Sequence, residues 1–220
     1  MKILAFSDIH GNIKRLDEII KIAKKEKVDF VVLAGDITFF DRTIDYYKML
    51  EPFFKEKIKL LVVPGNHDSN KFLSKVIKKL KERYKFNEVY NLEKNYFEKD
   101  NFIFIGFSAN NMGPTLEVYN EEEAKGILEE LFNKIKNKLK NKRLITVSHI
   151  HPEGKISETW GYEGSLAWTK FIKKFKPILH LHGHIHEAEG TEYRINNTKV
   201  FNLGPRHYLF DLNNLNNSLK

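Results

Sequence analysis

The 220-residue chain contains no cysteine, so disulfides and thiolate metal sites are excluded. Any metal ion must be held by His, Asp, Glu or Asn, a harder donor set. No apolar run approaches the roughly 20 residues of a membrane-spanning helix, and no membrane partner is expected. No secretory leader is expected either: Ile3-Leu4-Ala5-Phe6 is too short for its apolar core, and Asp8 and His10 follow at once. These absences favour a cytoplasmic location. Linkers, internal repeats and low-complexity blocks are also missing. A single domain over residues 1–212 is therefore expected, followed by a polar tail at 213–220.

What is present reads as a folded, water-facing protein, with 41% apolar and 30% charged residues. The net charge of +8, from 37 basic and 29 acidic residues, suits anionic ligands, including phosphates and nucleic acid. Most lysines, however, fall on helical stretches such as 71–85 and 133–142, where a solvated face accounts for them.

The pattern along the chain predicts strands at 2–6, 30–34 and 58–63, with helices at about 13–25, 42–56 and 70–83. Strand and helix alternating at this spacing argue for βαβ units and a parallel sheet. Shorter strands follow around 89–90, 96–97 and 102–107. A long helix is predicted at about 120–140, with a Glu-rich start and a Lys-rich end that complement its dipole. Strands at 144–148 and 178–182 and a set of short strands from 192 to 211 complete the reading, with Asn196-Asn197 as a hairpin turn.

Polar clusters sit at the ends of these strands. Ser7-Asp8-Ile9-His10, Gly35-Asp36, Gly65-Asn66-His67-Asp68, Ser148-His149 and Gly183-His184-Ile185-His186 each follow one. In open α/β sheets, ligands bind beyond the carboxyl ends of strands, so such clusters can converge. Asp8, His10, Asp36, Asn66, His149, His184 and His186 make seven oxygen or imidazole donors. Two metal ions roughly 3.5–4 Å apart need about that many, with at least one shared.

This order of motifs resembles the calcineurin-like metallophosphoesterase superfamily, and it spans residues 7 to 186. The resemblance implies an α/β fold: a four-layer αββα sandwich of two mixed β-sheets packed face to face with flanking helices. It also implies two divalent or mixed-valence ions, with manganese, iron, zinc or nickel as candidates. Asp8, His10 and His186 would bind one ion and Asn66, His149 and His184 the other, with Asp36 bridging both. His67 corresponds to a histidine that binds no metal but faces the scissile phosphate. It would act as general acid while a hydroxide bridging the ions attacks phosphorus. Two departures stand out. The lone His149 is followed by Ile150-His151-Pro152 rather than by paired prolines, and Asn202-Leu203-Gly204-Pro205 replaces an Asn-Pro-Gly-Ser seen in some relatives.

The activity expected is hydrolysis of phosphate esters, with small phosphodiesters favoured. Phosphomonoesterase and nuclease activities of the same superfamily are the alternatives, and a non-catalytic scaffold of this fold is a further one. Among weaker signals, His180 reads as a hydrogen-bonded core residue and His182 as support for metal ligands. His151 is expected to face solvent from a loop. The 153–163 loop, with Glu158, Trp160 and Tyr162, and Asn110-Asn111 are candidates to shape a substrate pocket. Arg42 is a weak candidate for clamping phosphate.

Overall fold

The structure, a computed structural model, describes residues 1–115 and 117–215. Residues 216–220 of the predicted polar tail lie outside that range. Strand β1 (Lys2–Phe6) opens the chain, and its period-two alternation sends Leu4 and Phe6 to one face and Ile3 and Ala5 to the other. Helix α1 (Ile13–Lys25) begins where the Asn12 side chain accepts from the Arg15 N–H, and it buries Leu16, Ile19, Ile20 and Ala23 at helical spacing. The alternation continues through β2 (Phe30–Ala34), α2 (Thr43–Lys55), β3 (Leu60–Val63), α3 (Asn70–Tyr84) and β4 (Val89–Asn91). Strands β1 to β4 are parallel neighbours, as predicted for βαβ units. The last strand, β11 (Tyr208–Asp211), returns antiparallel to β1 and makes this a mixed five-stranded sheet.

The second sheet has six strands in the order β5-β6-β7-β8-β10-β9. They are β5 (Asn95–Lys99), β6 (Phe102–Gly106), β7 (Arg143–Val147), β8 (Leu179–His182), β9 (Glu192–Ile195) and β10 (Thr198–Asn202). Its centre is parallel and both outer strands are antiparallel. The β9–β10 hairpin turns at Asn196-Asn197 as expected, with Asn196 left-handed at φ 53°.

Strand alternation divides the core into layers. Ile3, Ala5, Phe30 and Val32 meet Phe104, Ile145, Val147 and Leu181 between the sheets. Leu4, Phe6, Val31 and Leu33 instead pack outward against α1, α2 and α3. On the far side, Ile103, Ile105 and Leu144 pack against α4 (Glu121–Ile135) and α6 (Leu166–Phe175). The strands are apolar on both faces because both are covered. The result is the expected αββα sandwich of two mixed sheets.

Three details differ from the sequence reading. Helix α4 stops at Ile135 and a 3₁₀ turn follows at Leu139–Asn141, because Lys136-Asn137-Lys138 offers nothing to bury. A six-residue helix, α5 (Lys155–Trp160), occupies the predicted 153–163 loop. Helix α6 was not predicted, although its signal is present. Ser165 caps it, and Ala167, Trp168, Phe171 and Ile172 form its buried stripe. No helix among the described residues is long and apolar enough to cross a membrane.

Candidate metal centre and substrate cleft

Every candidate ligand lies in a turn just after a strand. Asp8 and His10 follow β1, Asp36 follows β2, Asn66 follows β3, His149 follows β7, and His184 and His186 follow β8. These turns hold unusual backbone. Asp8, His10, Asp36 and His184 have φ of 53°, 43°, 53° and 75°, a region that costs a non-glycine residue on the order of 1–3 kcal/mol. Hydrogen bonds between the turns offset that strain: Asp8 N–H donates to the Gly35 carbonyl at 3.0 Å and His10 N–H to the Asp36 carbonyl at 2.9 Å. The motif glycines are required by close approach. A Cβ on Gly35 would overlap the His149 ring, and one on Gly65 would overlap the Asp36 carboxylate.

The side chains converge as two donor groups. One comprises Asp8, His10 and His186, and the other Asp8, Asp36 and His149. Asp36 faces both sides, with Oδ2 3.4 Å from His10 Nε2 and Oδ1 3.4 Å from His149 Nε2. Asp8 Oδ1 lies 3.4 Å from His186 Nε2. The geometry therefore sets two carboxylates, Asp8 as well as Asp36, between the groups. Asn66 Oδ1 lies 2.8 Å from His149 Nε2 and 3.0 Å from His184 Nδ1, so the structure brings all seven predicted donors together.

The electrostatics suit a cation. Burial works to raise the Asp36 pKa, but the charge and hydrogen bond of His149 and the His67 N–H hold it well below the usual carboxylate range. Burial disfavours the charged form of His149 in turn, yet Asp36 holds its pKa above the ordinary imidazole value. Burial pushes His184 down to about 3 and lowers His10, so both present nitrogen lone pairs at neutral pH. His10 and His186 bring their Nε2 atoms within 3.4 Å of each other. A site that crowds carboxylates and imidazole nitrogens this closely is relieved by a positive ion, and hard oxygen and imidazole donors fit the candidate metals.

A cleft of about 430 Å³ opens over these donors, with His67, Phe39, Met112, Tyr162 and Glu187 among its walls. His67 stands edge-on to His10 at 5.2 Å between ring centres and stacks on Phe39 at 5.6 Å. It contributes no atom to either donor group. Tyr162, one of the candidates in the 153–163 segment, lines the cleft. Trp160 does not; it packs with Ile156, Ile185 and Ala188.

Several further residues support the site. Ser7 donates to the Asp8 carboxylate and accepts from Gly204 N–H at 2.8 Å, which ties the 202–205 segment to the site. Glu93 is buried and accepts from both the N–H and the hydroxyl of Ser108, whose carbonyl in turn accepts from His149 N–H. Asp68 accepts from Gly65, Ile37 and Thr38 N–H groups at 2.9–3.0 Å, knitting the Asp36 turn to the Asn66 turn. Asn110 is buried and donates to the Gly65 carbonyl at 2.9 Å rather than lining the cleft.

Other expectations divide. His151 does not face solvent: it is buried, 3.1 Å from Ser157 Oγ and 3.3 Å from the Tyr162 carbonyl, and so ties the α5 segment down. His180 is the expected hydrogen-bonded core histidine, between Thr146 and Ser148. His182 meets the Gly183 carbonyl rather than the side chain of a candidate ligand. Arg42 pairs with Asp45 at 2.8 Å and does not line the cleft over the donors.

The sequence profile of a family described as calcineurin-like phosphoesterase matches residues 1–188, a span that includes every motif residue. A probable glycerophosphodiester phosphodiesterase of Arcobacter nitrofigilis is 29% identical over 178 residues, covering 76% of this chain and 60% of that protein. The chain thus spans about three fifths of the length of that curated relative. The protein TT1561 of Thermus thermophilus has a similar structure, with a TM-score of 0.75, 18% identity, and coverage of 96% of this chain and 98% of that one. GAP50, described as the anchor in the inner membrane complex of Plasmodium, has a TM-score of 0.60 at 17% identity, with coverage of 93% and 71%. At these identities the two structures speak to fold alone.

Proposed function

The chain belongs to the calcineurin-like phosphoesterase family of metal-dependent phosphoric ester hydrolases, and on that premise we propose that it hydrolyses small phosphate diesters with two metal ions. The observation that carries this reading is the pair of donor groups joined through Asp8 and Asp36 beneath an open cleft. Asp8, His10 and His186 would hold one ion, Asn66, His149 and His184 the other, and Asp36 would contact both. Bound there, divalent ions would supply Lewis acidity toward phosphate oxygens and bring the pKa of a water toward 7. Manganese, iron, zinc and nickel all suit carboxylate, amide and imidazole donors.

The remaining chemistry falls to the chain's own side chains. His67 is a half-buried imidazole on the cleft wall, backed by Phe39, and would protonate the leaving oxygen. Its backbone N–H bond to Asp36 holds it at the donor groups without making it a ligand. The preference for diesters over monoesters is supported by the relative described as a phosphodiesterase. A purely structural role, the scaffold alternative, is disfavoured because all seven predicted donors are present and lie together.

The test is hydrolysis of bis(p-nitrophenyl) phosphate and of p-nitrophenyl phosphate by protein stripped with a chelator and reloaded with manganese. Metal-dependent turnover, faster on the diester, is expected. Turnover that resists the chelator overturns metal dependence, and a monoester preference overturns the substrate class.

A further inference from the structure

The cleft does not end at the donor groups. Beyond His10 and Phe39, which line both spaces, lies a second pocket of about 260 Å³. Ile13, Phe39, Phe40 and Met49 supply its apolar lining, and Arg42 and Lys48 also border it, with Asp45 bonded to Arg42. A pocket for a whole small ligand usually encloses roughly 300–1,000 Å³. This one is the size for a single substituent of a molecule anchored in the neighbouring cleft.

Its chemistry selects among substituents. Phe39 is 51% and Phe40 67% exposed, and Ile13 is also exposed, so apolar surface surrounds the way out of the donor site. A glyceryl group there could bond Asp45 or Lys48 but would leave the rings of Phe39 and Phe40 uncovered. A long acyl chain would leave Arg42, Asp45 and Lys48 without a use. A flat heteroaromatic group suits both halves of the pocket, because it has an apolar face and an edge of donors and acceptors. Phe40 already carries one planar group, the Arg42 guanidinium, 5.4 Å from its ring centre. Asp45 can accept from an exocyclic amine, and Lys48 or Arg42 can donate to a ring nitrogen or carbonyl.

We propose that this pocket is a subsite for a planar heteroaromatic substituent of the phosphate ester, a nucleobase being the biological group of that chemistry. The inference rests on the diesterase reading above and narrows its substrate class. Phe40 and Phe39 supply the stacking surface, and Arg42, Asp45 and Lys48 read the edge. Phe39 also stacks on His67, whereas Phe40 packs edge-on against Phe39 and lines only the second pocket, so substitution of Phe40 probes the subsite apart from the donor cleft.

The test is calorimetric binding to the manganese-loaded protein of adenosine 5′-monophosphate, phenyl phosphate and glycerol 3-phosphate. Adenosine monophosphate should bind most tightly. Phe40→Ala should weaken it roughly five- to a hundredfold, the usual worth of a base–aromatic stack, and leave glycerol 3-phosphate unchanged. Phe40→Trp should restore the affinity. Equal weakening of all three ligands, or of none, overturns the subsite while the diesterase reading stands. Phenyl phosphate binding as tightly as the nucleotide overturns edge recognition. Failure of every phosphate to bind overturns both readings together.

Discussion

The backbone N–H of His67 donates to Asp36 Oδ1 at 3.0 Å, so the carboxylate that faces both donor groups also positions the imidazole on the cleft wall. Substitution at Asp36 should therefore reach further than loss of one ligand. Asp36→Asn is expected to abolish stable binding at both ions, whereas His149→Ala should remove mainly one. Elemental analysis of reconstituted protein should read close to two ions per chain for the parent. A saturating value of one ion in fully active protein would rule out the two-ion site.

His67 can be separated from the metals. His67→Gln should keep both ions and the fold while activity on an alkyl or nucleoside ester falls by roughly 10²–10⁴-fold, the range of a positioned proton donor. The loss should be smaller for an aryl ester, whose leaving group departs with little help. Equal losses would mean that His67 positions the phosphate only. Loss of metal would make it a ligand.

Asp68 is a test of the scaffold. Its carboxylate satisfies three buried backbone N–H groups and the Thr38 hydroxyl, with Tyr46 at 3.4 Å. Asp68→Ala would leave those donors unpaired, at about 1–3 kcal/mol each. A loss of at least about 3 kcal/mol in denaturant unfolding is expected, with weakened metal binding because the Asp36 and Asn66 turns are released. An unfolding midpoint close to that of the parent would show that water replaces the carboxylate.

Glu93 should make stability depend on pH. Burial pushes its pKa up from an ordinary 4.5 to about 7, against the two bonds from Ser108. Between those values the folded state holds the proton more tightly than the unfolded one, so this residue's contribution falls as pH rises through the window. The total is on the order of 3 kcal/mol. Glu93→Gln should gain on the parent from pH 5 to pH 8, measured by unfolding midpoints at each pH. A difference that does not change with pH would mean Glu93 is ionised in the folded protein.

Much of this molecule is legible in advance because its signals are local. Leu4 and Phe6 against Ile3 and Ala5 encode a strand covered on both faces, and Leu16, Ile19, Ile20 and Ala23 encode one helical stripe. Helix α6 carries the same kind of stripe and a Ser165 cap, so nothing physical hides it from a sequence reading. His151 is a different case. Nothing in Ile150-His151-Pro152 distinguishes a solvent-facing ring from one buried beneath α5, because its partners Ser157 and Tyr162 meet it only when that helix folds back.

By itself, the sequence determined the donor chemistry and its order along the chain. Residue type sets ligand hardness, the absence of cysteine removes thiolates, and a polar turn after an apolar strand marks an open sheet edge. Only the tertiary structure decided which donors face one another. His10 and His186 lie 176 positions apart yet bring their Nε2 atoms to 3.4 Å, and Asp8 joins both groups rather than one. It also decided that Glu93 would support His149 through Ser108 and that Phe39 and Phe40 would wall a second pocket. The reason is physical: side-chain chemistry and strand periodicity act within a few residues, whereas these distances depend on how two sheets pack and where their parallel strands end.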